Sequence, residues 1–169
     1  MACKLVQGSE VNCRDSVGGV KEVYIANFSN VQSTTTSSGV CTDITMAGST
    51  KFYTFQLEKE NATYTNNAVT SVENGSLFYE STLTFTMKKM SASQKNSVKV
   101  LAQSRLMIIV LDNNGTYWLM GETRGADLTE NTMASGQAFG DLSGSTVTFT
   151  GKEVEFDPSY TGSISSITS

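Results

Sequence analysis

Between Ser81 and Gly151 the chain changes its hydrophobic period in a legible order. In Ser81–Met87 (S-T-L-T-F-T-M), Leu83, Phe85 and Met87 alternate with Thr82, Thr84 and Thr86, the period of a half-buried strand. Ser91 or Ser93 can cap a short helix that ends near Gln103, and Val98, Leu101 and Ala102 give it one narrow apolar stripe. Leu106–Leu111 is an unbroken apolar run, too short for a separate helix and suited to a strand covered on both faces. Asp112-Asn113-Asn114-Gly115 predicts a tight hairpin in which Asn114-Gly115 tolerates positive φ, with Thr116–Met120 as the returning strand. A polar, glycine-bearing loop is expected over Gly121–Gly144. Val147 and Phe149 then alternate with threonines in Ser145–Thr150.

The flanking segments are weaker in pattern. Met1–Gly19 reads as an irregular N-terminal arm ending in Gly18-Gly19, and Val20–Phe28 as a first strand. Asn30–Gly39 is expected to be a polar loop or an edge, and a place of mobility. Lys51–Glu58 alternates, with Tyr53, Phe55 and Leu57 on one face and Phe52, Thr54, Gln56 and Glu58 on the other. Ala62–Val72 is a polar strand that turns at Glu73-Asn74-Gly75-Ser76 into the Ser81 strand, making a long hairpin over 62–87. Its arms carry too little apolar surface to stand alone, so the outer part should lean on another subunit, with Val69, Val72, Asn74 and Gly75 as contacts. Lys152–Phe156 reads as one more short strand, and residues 157–169, after Pro158, as a flexible Ser/Gly/Thr-rich tail.

A length of 169 residues fits one domain. The abundance of Thr, Ser, Gly and Asn and the single proline favour strands and turns, giving a mainly β expectation of two packed antiparallel sheets with one flanking helix. Twelve basic and 16 acidic residues leave a net charge of -4 without a Lys/Arg cluster, which argues against tight binding of nucleic acid. Cys3, Cys13 and Cys41 are odd in number and lack a Cys-x-x-Cys element, so they read as small buried or half-buried thiols, not as disulfides or metal ligands. No run approaches the ~20 apolar residues that span a bilayer, and the N-terminus lacks the apolar stretch of a signal peptide, so a protein kept in a cytoplasm is expected, without a membrane partner.

With no histidine, Ser-His-Asp and Cys-His chemistry is impossible. A carboxylate pair could be drawn from Asp112, Glu122, Asp127, Glu130 and Asp141, but these read more simply as solvated loop charge, with Asp112 and Asp141 as turn residues. Gly121-Glu122-Thr123-Arg124-Gly125 lacks the lysine of a phosphate loop. Tyr117 and Trp118 are adjacent in a strand and so point to opposite faces, which defeats a sugar platform. The expectation is a protein without enzymatic activity or cofactor.

Three segments together carry a resemblance: E-N-G-S-L-F-Y-E-S-T-L-T-F-T-M at Glu73–Met87, I-I-V-L-D-N-N-G-T-Y-W-L-M-G at Ile108–Gly121, and S-G-Q-A-F-G-D-L-S-G-S-T-V-T-F-T-G-K-E at Ser135–Glu153, with G-G-V-K-E-V-Y-I-A-N-F at Gly18–Phe28 as an opening strand. In this order the chain resembles tail tube proteins of tailed bacteriophages, especially those infecting Bacteroidetes. The resemblance implies a sandwich with a flanking helix and a structural role in the virion: subunits assembled in the host cytoplasm into hexameric rings, stacked as a hollow tube, in contact with other tail proteins and with DNA passing through. Head-tail joining rings, tail terminators and capsid-associated proteins are alternatives, and a sugar-binding β-sandwich is a more distant one. A wall that passes DNA should repel it, so Glu73, Glu80, Asp127 or Asp141 are expected to face the lumen, and Lys51, Lys88, Lys89, Lys95 and Lys99 to turn away.

Overall fold

The computed structural model describes Cys3 and residues 5–169. Eleven strands follow an irregular, exposed stretch that ends at Gly19: β1 Val20–Asn27, β2 Val31–Ser37, β3 Val40–Met46, β4 Tyr53–Gln56, β5 Ala62–Ser71, β6 Ser76–Lys88, β7 Leu106–Asp112, β8 Tyr117–Met120, β9 Ala126–Ala134, β10 Gly144–Glu153 and β11 Ser159–Tyr160. Helix α1, Ala92–Gln103, lies between β6 and β7, and a single turn, α2 Ile164–Ile167, follows β11. The fold is mainly β and sandwich-like. Its layers are parts of one hydrogen-bonded network in the order β2-β3-β11-β8-β7-β9-β10-β6-β5, with β1 paired to β7 and β4. Among the described strands all pairings are antiparallel except β3 with β11, and Phe52 makes a further parallel bridge to Thr168, so the expected pair of purely antiparallel sheets becomes one mixed sheet folded on itself.

The fold-over occurs where β7 meets β9 through Leu106 and Ala126. Gly121 makes that corner possible: its φ is +80°, and a Cβ there would stand 2.8 Å from the Ala126 nitrogen. Val23, Ile25, Ile108 and Val110 from one layer then meet Leu83, Phe85, Val147 and Phe149 from the other. The Phe85 and Phe149 rings stack with centroids 5.9 Å apart, and burial of each such side chain contributes about 1.5–3 kcal/mol. On the opposite face of β1 and β7, Tyr24, Ala26, Ile109 and Leu111 form a second core with Cys41, Ile44, Phe52, Tyr160 and Ile167. Burial on both faces explains why β7 is apolar at every position from Leu106 to Leu111.

The Ser91 hydroxyl accepts the Gln94 N–H at 3.2 Å and starts α1, which lays Val98 and Leu101 into the first core. Ala102, expected in that stripe, is exposed. The β7–β8 turn has positive φ at Gly115 alone and not at Asn114. Asp112 does the rest: its Oδ1 accepts the N–H groups of Asn114 and Thr116, both at 2.9 Å, and its Oδ2 accepts Trp118 Nε1–H at 3.1 Å.

Three expectations are corrected. The segment Gly121–Gly144 is not a loop throughout, because β9 occupies Ala126–Ala134 and pairs with β10. A bulge in that pairing shifts the register between Thr148 and Phe149, so Ala126 and Leu128 are in phase while Asn131 and Met133 follow in the other, and no single alternation survives in the sequence. Residues 157–169 are not a flexible tail: β11 lies between β3 and β8, Tyr160 and Ile167 are buried, and Phe52 exchanges backbone hydrogen bonds with Ile167 and Ser169. Lys152–Phe156 is not a separate strand, since Lys152 and Glu153 end β10. The polar segment Asn30–Gly39 holds β2, an edge strand paired only with β3.

Candidate assembly surfaces

The β5–β6 hairpin is longer than the layer it belongs to. The β10 pairing along β6 ends at Glu153 opposite Tyr79, and the pairs Val69–Phe78, Thr70–Leu77 and Ser71–Ser76 continue beyond it as a two-stranded ribbon. At its tip Gly75 takes a φ of +61°, and Asn74 donates its N–H to Ser71 Oγ at 3.4 Å. Val72 at the tip is 94% exposed, and Val69 and Leu77 are exposed on the two arms. The register places Val69 on one face of the ribbon and Leu77 on the other, so both faces present apolar surface. The expected contact residues Val69, Val72, Asn74 and Gly75 therefore share one projecting element.

The outer face of the β9-β10-β6-β5 layer is a threonine surface. Thr63 and Thr65 of β5, Thr82, Thr84 and Thr86 of β6, and Thr146, Thr148 and Thr150 of β10 share it by register. Their hydroxyls pair across strands: Thr84 with Thr148 at 3.1 Å, Thr86 with Thr146 at 3.2 Å, and Thr129 with Thr150 at 3.1 Å. Every threonine on it is half-buried or exposed.

The four expected lumen carboxylates divide. Glu80 and Asp127 lie on the threonine face, opposite Lys152 and Thr150, and Glu130 joins them opposite Thr148. Glu73 sits at the hairpin tip. Asp141 belongs to its own turn, where its carboxylate accepts the N–H groups of Gln137 and Ala138 at 2.9 and 2.8 Å and is held below the usual carboxylate range by those bonds. Lys152, which the charge pattern did not single out, stands on the threonine face with its ammonium 5.6 Å from the Phe78 ring centre. Lys88 closes the border of that face and is tied to Glu58 at 2.7 Å.

The carboxylates considered for catalysis are dispersed, and the two that are half-buried, Asp112 and Glu122, are occupied by donors. Glu122 accepts the hydroxyls of Thr34, at 3.0 Å, and Thr36, fastening the edge strand β2 to the β8–β9 corner. Two further acids escaped notice in the sequence. Glu153 accepts the N–H groups of Thr123 and Arg124 at 3.1 and 2.9 Å, and the Thr123 hydroxyl. Asp157 is 6% exposed and accepts from Tyr64 and Ser81. Burial pushes the Asp157 carboxyl up to about 6 against the opposing pull of the Ser81 and Tyr64 hydroxyls, while burial and the charge of Asp157 push the Tyr64 phenol well above its ordinary value. Their lone pairs are spent on holding the C-terminal segment to the sandwich. Asp157-Pro158 was the available signal, read as the start of a tail.

Tyr117 and Trp118 pack on the second and first core respectively, on opposite faces of β8. Cys41 is buried, but Cys3 and Cys13 are exposed and not half-buried as expected. Among the described residues, no group of three or more Cys, Asp or Glu is placed to hold a metal ion, and no helix is long and apolar enough to cross a membrane. Comparison with family models, with curated proteins and with solved structures finds no match to this chain.

Proposed function

We propose that this chain is a self-assembling structural subunit, the tail tube protein of a tailed bacteriophage, which forms stacked rings around a channel for DNA. The projecting β5–β6 ribbon carries the reading. Val69, Val72 and Leu77 are exposed on an element that serves no core of its own subunit, and an isolated two-stranded ribbon gains too little burial to be kept for its own stability. Among the described strands the sheet also leaves open edges at β2, β4 and β5, which a head-to-tail repeat can cover. The sequence likeness to tail tube proteins supplies the specific role, and the threonine face with Glu80, Asp127 and Glu130 supplies a wall without a basic cluster.

Negative-stain images of concentrated protein test the reading, with tubes as the expected result. The double variant Val69→Asp, Val72→Asp should remain folded, because both residues lie outside the cores, and should fail to assemble. Normal tubes from that variant overturn the role of the ribbon. Single rings that never stack would instead place the protein at the head-tail joint or the tail terminus.

A further inference from the structure

A groove of about 830 Å³ opens between α1 and β4, lined by Ile25, Tyr53, Phe55, Asn96, Val100 and Leu101 among others, with no charged side chain in its wall. Tyr53 and Val100 are more than half exposed in it. Strand β4 pairs with β1 alone, so among the described strands its other edge is open beside the groove. An uncharged slot of mixed apolar and amide or hydroxyl lining, next to an open strand edge, suits an extended, uncharged peptide, which adds backbone hydrogen bonds along the edge and seats alternate side chains in the slot.

The chain carries such a peptide. Leu5-Val6-Gln7-Gly8-Ser9 has no charge, and Leu5 and Val6 are 93% and 95% exposed, so this segment packs on nothing in its own subunit. Its root is fixed. The side chain of Asn114 accepts the Val17 N–H and donates to the Val17 carbonyl, both at 2.8 Å, and Asn113 donates to the Gly18 carbonyl at 2.7 Å. That clamp lies at the Val20–Asp112 end of β1, whereas the groove lies at the Asn27–Leu106 end, roughly 23 Å away at the rise of a strand. Arm root and groove thus stand at opposite ends of one axis. A second copy displaced along that axis brings its groove toward the first copy's arm, whose dozen residues beyond the clamp reach at most about 40 Å.

We propose that Leu5 and Val6 of one copy seat in the α1–β4 groove of the next copy along the β1 axis, a head-to-tail contact that links successive rings. The proposal deepens the self-assembly reading and rests on it. Native Cys3 sits two positions from Leu5 and is exposed, which supplies a reporter. In a Cys13→Ser background, Val100→Cys places a thiol in the groove wall; the assembled protein is treated with diamide and run on a non-reducing gel. A ladder of covalent multimers is expected, lost when Cys3 is also replaced by Ser, and lost in Leu5→Asp, Val6→Asp, whose exposed positions leave the fold of the unassembled subunit intact. A faster-migrating monomer band means that the arm folds back into its own groove and overturns the proposal, as do tubes without a ladder. Images of the same samples read stacking separately: tubes without a ladder leave the tube reading standing, and a ladder without tubes keeps the arm contact while overturning the tube.

Discussion

The Tyr64 hydroxyl donates to the carboxylate of Asp157, a residue 93 positions further along the chain, and so ties the root of the long hairpin to the segment that leads into β11. Ser81 donates to the same oxygen. The site is closed enough that Asp157 holds its proton up to about 6, above the ordinary value of 3.8.

That shift fixes the sign of a pH effect. Between the two values the folded state binds more protons than the unfolded state, so stability falls as pH rises from about 4 to about 6, by up to ~3 kcal/mol at 1.36 kcal/mol per pKa unit. Thermal melts across this window should show Asp157→Asn losing that slope while remaining folded. An unchanged slope in the variant would assign it to other groups.

Removal of residues 158–169 should leave the protein insoluble or unfolded, because it strips β11 from between β3 and β8 and takes Tyr160 and Ile167 out of the second core. Proteolysis and solubility of the truncated chain are the measurements. Ile167→Ala is the milder form, and should cost about 2–5 kcal/mol.

Gly115 and Gly121 separate two kinds of glycine requirement. Both have positive φ, but a Cβ at Gly115 meets open space and one at Gly121 meets backbone. Gly115→Ala should cost about 1–3 kcal/mol through backbone conformation alone. Gly121→Ala should cost more, since the corner between the layers must also move, and denaturant midpoints of the two variants give the comparison.

Under the proposed tube function, the threonine face is the candidate channel wall, and its charges should set how readily DNA passes. Glu80→Lys together with Asp127→Lys should leave tubes intact but slow ejection, and the delay should grow at low salt, where screening is weak. Lys152→Glu should act in the opposite sense. Equal ejection rates in the wild type and both variants would remove this face from the channel.

Strands with one register and one face were readable from sequence. Val147 and Phe149 alternate with threonines because one side of β10 meets the core and the other remains half-exposed, and Leu106–Leu111 is continuous because both sides of β7 are covered. The hairpins were readable from Asn-Gly, although at the β7–β8 turn the work attributed to Asn114 belongs to Asp112. Strand β9 was hidden by its bulge, and β3 by having only Cys41 and Ile44 fully inward. The C-terminal segment was misread because a two-residue strand has no period, and its placement depends on partners such as Cys41, which local pattern cannot supply. Glu153 and Asp157 were missed for the same reason: their donors lie far away in the chain.

The position of β11 predicts a late step in folding. Thr161 bonds to the Cys41 carbonyl across 120 residues, and Ser169 reaches Phe52 across 117. Such closures are slow, because the chain loses loop entropy before any contact returns it. Until they form, β3 and β8 both have an unfilled side, and the partly folded chain exposes strand edges to every copy around it. A rapid drop in temperature or a high rate of synthesis should therefore decide between native subunit and aggregate at this one late step, and the yield of soluble protein should rise when expression is slowed.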